Sequence, residues 1–270
     1  VLEAVLALID DGDEALIPAP SWVSYEEIVR IAGGIVKRLS PDEHYKVAPQ
    51  TLEDNISRKT KLLILNSPNN PTGAVYTEQE MRALADVIME KGIYVITDEI
   101  YEKIIYEGKH FSIGSTPGME NLTVTINGFS KSYAMTGWRL GYAAGPREII
   151  AEMKKIQEHS VSCAASFVQK AGVVALRSSQ DCVKEMVKEF KERRNFIIEE
   201  LSKMGSLEIE SPSGAFYIFP DISRTKMSST EFSDFLLEKA GVIVTPGLAF
   251  SDYDNNVRIA YANSIENIKK

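Results

Sequence analysis

Short apolar segments alternate with amphipathic segments through the first two thirds of the chain, and this alternation limits the possible folds most strongly. The apolar segments predict strands at residues 15–18, 35–39, 62–66, 93–97 and 122–127. The stretches between them have helical periodicity at residues 25–32, 52–57 and 78–91. The last of these helices begins with a capping-box sequence at Thr77 and ends at Gly92. Apolar strands separated by amphipathic helices indicate a mostly parallel sheet that helices cover on both faces.

The pattern changes after Arg147. Longer helices are predicted at residues 148–160, 166–176 and 183–204, followed by short strands at residues 207–210, 215–219, 242–245 and 257–260. We therefore expect a large α/β domain at residues 1–177, with a mixed, mostly parallel sheet between helices, and a smaller α+β domain at residues 178–270. Residues 1–9 read as a helix already under way without an N-cap, so we also expect that an N-terminal part of the large domain is missing.

Composition narrows the class of protein. The net charge is −8 and no run of like charge stands out, which argues against a nucleic-acid partner. The two cysteines, Cys163 and Cys182, form no C-x-x-C pair and have no histidine pair nearby, so we predict neither a disulfide framework nor a metal site. No apolar run is long enough for a membrane span and no signal peptide is visible. We expect a cytoplasmic protein that binds no membrane.

Polar residues follow three of the predicted strands, at residues 66–70, 98–101 and 130–131. Ligands of open parallel sheets gather at the carboxyl ends of the strands, so these three places are where chemistry is expected.

Lys131 follows a strand in a turn that contains Gly128 and Ser130, and Arg139 comes eight residues later. A lone lysine after a strand is usually a solvated surface residue. A lysine with a neighbouring hydroxyl and a downstream guanidinium instead suits an amine nucleophile that binds a phosphorylated aldehyde.

The other two segments have ordinary interpretations as well. Residues 66–73, Asn-Ser-Pro-Asn-Asn-Pro-Thr-Gly, could be only a turn-rich loop. Asp98 could be an N-cap for the short helix that follows. Its spacing to Tyr101 puts both side chains on one face of a helical turn.

Taken together, the three segments resemble the fold type I aminotransferases that depend on pyridoxal 5′-phosphate (PLP), in the subgroup of aspartate and aromatic-amino-acid aminotransferases. The shared motifs are Asn-Pro-x-Gly at residues 70–73, Asp-Glu-x-Tyr at residues 98–101 and Ser-Lys-x₇-Arg at residues 130–139. The resemblance extends over residues 5–263. The family's phosphate-cupping loop and N-terminal arm would precede Val1.

The resemblance implies roles for individual residues. Lys131 would hold the cofactor as a Schiff base and move the proton between Cα of the substrate and the cofactor. Asp98 would pair with the pyridine nitrogen, and Asn70 and Tyr101 would hydrogen-bond the phenolic oxygen. Ser130 and Arg139 would bind the phosphate. The catalytic residues implied are Lys131, Asp98 and Tyr101.

Two further residues, Trp22 and Arg258, also resemble positions of the family. Trp22 resembles the family's aromatic residue stacked on the cofactor ring, with an ordinary core tryptophan as the alternative. Arg258 resembles the arginine that grips the substrate α-carboxylate, although an arginine in a strand often faces solvent. Asn70 and Trp22 would also approach the substrate. We interpret Tyr25 as structural and the aromatic residues of segment 213–217, which include Tyr217, as packing; the histidines are also read as structural or surface residues: His44, His110 and His159.

The resemblance predicts transfer of an amino group from an L-amino acid to a 2-oxo acid, with aspartate and 2-oxoglutarate as the expected pair, in a homodimer whose active sites lie at the subunit interface. Two alternatives stay open. A PLP-dependent C–S lyase would share the same lysine, aspartate and arginine, and would release pyruvate from cystathionine. A regulatory protein with an aminotransferase-like domain that senses PLP would carry a DNA-binding domain upstream.

Overall fold

The main sheet has six strands in the computed structural model, which describes every residue from Val1 to Lys270. These strands are β1 (Glu14–Pro18), β2 (Ile35–Leu39), β3 (Thr60–Asn66), β4 (Tyr94–Asp98), β5 (Thr123–Gly128) and β6 (Gly141–Ala144). Their spatial order is β2-β1-β3-β4-β5-β6. All neighbours run parallel except β6, which is antiparallel to β5. The predicted mixed, mostly parallel sheet is confirmed.

Helices cover both faces of this sheet: α1 (Leu2–Leu8), α2 (Ser24–Ile31), α3 (Pro49–Asn55), α4 (Glu78–Lys91) and α5 (Arg147–Ser160). Strand β3 shows why. Leu62 and Ile64 pack among residues of α1, α2 and α5, whereas Leu63 and Leu65 pack among residues of α3 and α4. Alternate side chains of a strand point to opposite faces, so an unbroken apolar strand needs cover on both sides.

Helix α6 (Ser166–Arg177) lies beside the end of the large sheet, where a Cβ at Gly172 would meet Leu140 and Phe129. The elements after it build a second, smaller part: α7 (Asp181–Ser202), β7 (Tyr217–Ile218), α8 (Ser229–Ala240), β8 (Thr245–Pro246), β9 (Val257–Ala260) and α9 (Ile265–Ile268). The three strands form an antiparallel sheet in the order β7-β9-β8. The boundary at residue 177 stays a prediction. None of the helices combines the length and apolar composition that a membrane crossing requires.

Three strands predicted in this second part are shorter than expected or absent. Residues 207–210 contain only an isolated bridge between Glu208 and Asp221, so this prediction is wrong. Residues 242–244 are not a strand either, and the Ile243 side chain is 83% exposed because no sheet covers it. Of residues 215–219 only Tyr217–Ile218 pairs, and β9 alone has the predicted bounds. Strands of only two residues have no periodic pattern of their own, so a short apolar loop and a short strand look alike in the sequence.

The register of the main sheet aligns the strand ends. Asn66 at the end of β3 lies opposite Asp98 at the end of β4. Gly128 at the end of β5 lies opposite Gly141 at the start of β6. The three polar segments therefore meet at the carboxyl ends of β3, β4 and β5, and Arg139 lies at the same end of the sheet, two residues before β6.

The loop after β3 is fixed against the smaller part through Gly73. Its φ is +74°, and its carbonyl accepts hydrogen bonds from the amides of Ser213 and Gly214 at 3.0 and 2.9 Å. A Cβ here would lie 2.4 Å from Cβ of Pro212. We expect Gly73→Ala to lower the free energy of unfolding by about 2–4 kcal/mol, because it adds a clash with backbone-held atoms to the cost of a positive φ.

Gly92→Ala is the matched control for this prediction. Gly92 also has a positive φ, +67°, but a Cβ there would meet no atom within 4 Å. It should cost only about 1 kcal/mol. Urea unfolding of both variants measures the difference, and equal losses would mean that the loop can move away from Pro212 freely.

Candidate active site

A cavity of about 630 Å³ lies at the carboxyl ends of the main strands. Its wall contains all eight residues that the sequence singles out as site residues: Trp22, Asn70, Asp98, Tyr101, Ser130, Lys131, Arg139 and Arg258. The structure thus brings residues from the large sheet and from β9 into one place. The charged side chains of the wall are three cations and one carboxylate.

Asp98 supplies that carboxylate, at the end of β4. It is buried, and burial raises the pKa of its carboxyl group. Two donors oppose this effect: the hydroxyl of Tyr25 donates to Oδ2 at 2.7 Å, and the amide of Ile100 donates to Oδ1 at 3.1 Å. The bond from the Ile100 amide is of the kind expected for a helix cap. The bond from Tyr25 is not, because it comes from a side chain of another element that lines the same cavity.

The loop after β3 places Asn70 by a local hydrogen bond. The side chain of Asn66 accepts from the amide of Asn70 at 2.8 Å and donates to the carbonyl of Asp98 at 2.9 Å. Asn66 therefore ties the loop to the end of β4. The side-chain oxygen of Asn70 in turn accepts from Nη1 of Arg258 at 2.9 Å.

Lys131 lies in the turn after β5 and is half-buried. Its Nζ is 5.8 Å from the ring centroid of Tyr101 and 5.7 Å from that of Phe216. Burial lowers the pKa of this amine, and the charges of Arg258 and Arg139 lower it further. A lower pKa leaves more of the amine neutral, which is the nucleophilic form.

Arg139 stands next to this turn with left-handed backbone geometry, φ +52°. Its Nη1 donates to the carbonyl of Thr136 at 2.9 Å, and the side chain is exposed. Ser130 lines the cavity beside it. One edge of the cavity therefore combines a guanidinium and a hydroxyl, a donor set that suits an anion.

Arg258 reaches the cavity from β9. Its guanidinium lies 4.6 Å from the ring centroid of Tyr217 and 4.9 Å from that of Phe250, and Nη2 donates to Oγ1 of Thr245 at 3.2 Å. Its Nε is buried without a hydrogen-bond partner. The possibility that Arg258 faces solvent is therefore wrong, and an unsatisfied donor remains for an anion to occupy.

Trp22 is half-buried and contacts Tyr25 edge to face, with ring centroids 5.3 Å apart and an interplanar angle of 84°. The neighbouring helix α2 begins two residues later and carries Tyr25 on its buried face.

Two residues of the cavity wall that make specific contacts there were given no role at the site by the sequence. Tyr25, interpreted as structural, donates to Asp98, and nothing in its sequence neighbourhood indicates this contact. Tyr217, interpreted as packing, contacts both Tyr101 and Arg258. None of the three histidines lines the cavity: His44 pairs with Glu210, His110 pairs with Glu99, and His159 is exposed on α5.

A larger hollow of about 1090 Å³ lies beside this cavity, along β6 and α6. Its wall is mainly apolar, with Trp138 and Phe167 exposed, and Arg139 is its one charged residue. It lacks the paired acid and amine that chemistry requires, so we assign the candidate active site to the smaller cavity.

Residues 1–270 match the family described as aminotransferase class I and II. The chain belongs to this family. It is 43% identical over 269 residues to an aspartate aminotransferase of Geobacillus stearothermophilus, covering 96% of this chain and 68% of that protein. It is 40% identical over 276 residues to aromatic-amino-acid aminotransferase 2 of Thermococcus litoralis, covering all of this chain and 71% of that protein. The crystal structure of an aromatic aminotransferase from Pyrococcus horikoshii superimposes with a TM-score of 0.96 at 42% identity, covering 99% of this chain and 73% of that one.

For this aminotransferase-family chain, the bond from Tyr25 to Asp98 generates a pH-dependent prediction. Because burial raises the pKa of Asp98, folding loses stability as the pH rises through that pKa and the buried carboxyl ionises. The Tyr25 hydroxyl offsets this loss. In the cofactor-free protein, Tyr25→Phe should cost about 0.5–1.5 kcal/mol at acidic pH and about 1.5–3 kcal/mol at neutral pH, where the carboxylate is charged.

Tyr76→Phe provides the control, since Tyr76 is equally buried but its hydroxyl accepts from the amide of Val47 instead of serving a carboxylate. Its cost should stay constant with pH. Unfolding free energies from urea titrations between about pH 4 and pH 8 make the comparison. A Tyr25→Phe cost that does not grow with pH would contradict the assignment.

Proposed function

We propose that this chain is a PLP-dependent aminotransferase that moves an amino group from an L-amino acid to a 2-oxo acid. The observation that carries the proposal is that the amine of Lys131 and the buried carboxylate of Asp98 line one cavity. The amine is half-buried, and its pKa is lowered by burial and by the charges of two arginines. Catalytic sites often combine, in one cleft, an amine whose pKa is lowered with a carboxyl group whose pKa is raised.

The residues present fit PLP. A cavity of about 630 Å³ is of ordinary size for a small ligand. A phosphate would find Arg139 and Ser130, and a phenolic oxygen would find Asn70 and Tyr101. A protonated ring nitrogen would compensate the buried charge of Asp98, and Trp22 offers an aromatic face. When bound, PLP supplies an electron sink for the pair of electrons left at Cα when its proton is removed.

The side chains divide the remaining work. Lys131 would hold the cofactor and, when its amine is free, would accept the proton from Cα of the substrate and give it back; the lowered pKa of the amine favours the neutral form that this role needs. Asp98 would pair with the ring nitrogen, and its two donors, the Tyr25 hydroxyl and the Ile100 amide, favour the ionised carboxylate that this pairing needs.

Arg258 would bind the α-carboxylate that both substrates share. Its Nε is the buried donor without a partner, and Asn70, Thr245 and two aromatic rings fix the plane of the guanidinium. A fixed plane orients the substrate so that the Cα–H bond faces Lys131.

We propose aspartate as amino donor and 2-oxoglutarate as acceptor, because four relatives at 41–43% identity carry the name aspartate aminotransferase or probable aspartate aminotransferase. An aromatic amino acid is the competing donor, as in the relative from Thermococcus litoralis. A screen of donors with 2-oxoglutarate distinguishes them by glutamate formed. Pyruvate release from cystathionine without an oxo acid would instead identify a lyase.

A homodimer in the cytoplasm completes the proposal. The exposed apolar side chains beside β6 and on α6, including Trp138 and Phe167, support a covered surface next to the candidate active site.

Lys131→Ala should abolish the covalent fixation of PLP that borohydride produces, because the variant has no amine at the proposed point of attachment. Intact-protein mass spectrometry measures the fixed cofactor. Lys103→Ala, at an exposed lysine outside the cavity, is the control and should label normally. The assignment would be wrong if the Lys131→Ala protein still carried one equivalent of fixed cofactor.

Arg258→Lys should raise KM for both the amino acid and the 2-oxo acid about 10- to 100-fold, because lysine keeps the charge but loses the two-point fork. It should also lower kcat, since the substrate is less well oriented. The Kd for PLP should not change.

Arg139→Lys is the matched comparison for Arg258→Lys and should weaken PLP binding more than substrate binding. Steady-state kinetics and PLP titration separate the two constants. Weaker PLP binding with unchanged KM in Arg258→Lys would mean that the two arginines have exchanged roles.

A further inference from the structure

Tyr217 contacts both sides of the candidate active site. Its hydroxyl lies 2.8 Å from the hydroxyl of Tyr101, and its ring lies 4.6 Å from the guanidinium carbon of Arg258. Tyr101 belongs to the proposed cofactor side and Arg258 to the proposed substrate side. Tyr217 itself is 6% exposed and lines the cavity.

The small sheet explains how one side chain reaches both. Tyr217 on β7 pairs with Ala260 on β9, so Arg258 is its diagonal neighbour on the same face. Thr245 on β8 pairs directly with Arg258 and accepts one of its hydrogen bonds. The guanidinium of Arg258 therefore packs against two aromatic rings, those of Tyr217 and of Phe250, whose centroid lies 4.9 Å from the guanidinium carbon.

The direction of the hydroxyl contact follows from counting protons. A phenolic hydroxyl has one proton to donate. If Tyr101 donates to the phenolic oxygen of the cofactor, the proton between the two tyrosines must come from Tyr217. Tyr101 is buried, and burial together with the neighbouring Tyr217 raises its pKa, so it stays protonated and able to donate.

We propose that Tyr217 is a positioning residue with two separable actions: its hydroxyl strengthens the hydrogen bond that Tyr101 donates to the cofactor, and its ring fixes Arg258 for the substrate carboxylate. This inference rests on the proposed function. Consecutive hydrogen bonds polarise one another. A hydroxyl that donates to the oxygen of Tyr101 therefore makes Tyr101 a stronger donor to its own acceptor. The charged groups that face this pair are Lys131, Arg258 and Asp98.

The first test is Tyr217→Phe in the PLP-loaded protein. Stronger donation to the phenolic oxygen favours the deprotonated cofactor linkage, so its loss should raise the pH midpoint of the cofactor absorbance by about 0.3–1 unit. KM for both substrates should stay within about twofold, because the ring remains. Tyr217→Leu should raise the midpoint similarly and also raise KM for both substrates about 3- to 10-fold.

A double-mutant cycle makes the test independent of folding effects. Because the hydroxyl of Tyr217 acts through Tyr101, adding Tyr217→Phe to Tyr101→Phe should move the midpoint no further. Tyr261→Phe is the control: Tyr261 is also buried, its hydroxyl pairs with Tyr106 at 3.4 Å, and it does not line the cavity. It should change neither the midpoint nor KM.

The proposal is overturned if Tyr217→Phe leaves the midpoint unchanged, if its shift adds fully to that of Tyr101→Phe, or if it raises KM as much as Tyr217→Leu does. Failure of the proposed function is distinct, because it is read on the unaltered protein: either it shows no PLP absorbance to titrate, or it shows the absorbance but forms no glutamate from any donor with 2-oxoglutarate. If Tyr217→Leu does not fold, the phenylalanine variant and the cycle still decide.

Discussion

The buried carboxylate of Asp98 is the constraint on which the site depends. A buried charge is costly unless donors and an opposite charge compensate it. The register of β3 and β4 places Asp98 opposite Asn66, and the sheet brings Tyr25 and the amide of Ile100 within hydrogen-bond distance. These contacts compensate Asp98 only in part, because the pKa of its carboxyl remains raised. A cation placed beside this carboxyl group would favour its ionised form.

The other charges complement this arrangement. The protein as a whole carries a net charge of −8, yet the cavity wall sets three cations, Lys131, Arg139 and Arg258, against the single carboxylate of Asp98. Such a local excess of positive charge attracts anions against the sign of the whole molecule. Two of the three cations are guanidinium groups, those of Arg139 and Arg258, which suit planar or tetrahedral oxyanions. The distribution of charge thus agrees with the family to which the chain belongs.

Much of this arrangement could be predicted from the sequence. The apolar strands of the main sheet are long and unbroken, as Leu62 to Leu65 illustrate, and parallel sheets place ligands at the carboxyl ends of such strands. The residues that follow these ends, Asn70, Asp98 and Lys131, could therefore be chosen before their contacts were known. Their chemical roles came from resemblance and stay predictions.

The rest could not be predicted because it depends on contacts between distant segments. Tyr25 and Asp98 are 73 residues apart, and Tyr101 and Tyr217 are 116 residues apart. An aromatic residue in an apolar stretch gives no sign of whether its hydroxyl meets a polar partner. The strand predicted at residues 207–210 is wrong for a related reason. Whether so short a segment forms a strand depends on its pairing partner more than on its own sequence.

The same contacts connect stability to function. The raised pKa of Asp98, the lowered pKa of Lys131 and the unsatisfied Nε of Arg258 each mark a group whose favoured state in water is disfavoured by its burial in the protein. Each of these groups also has partners in the folded chain: Asp98 accepts from Tyr25 and Ile100, and Arg258 donates to Asn70 and Thr245. A ligand that binds only the folded chain stabilises it in proportion to its affinity and concentration. A ligand that supplies the missing partners of these groups would therefore bind more tightly than its other contacts alone would allow, and would stabilise the folded chain.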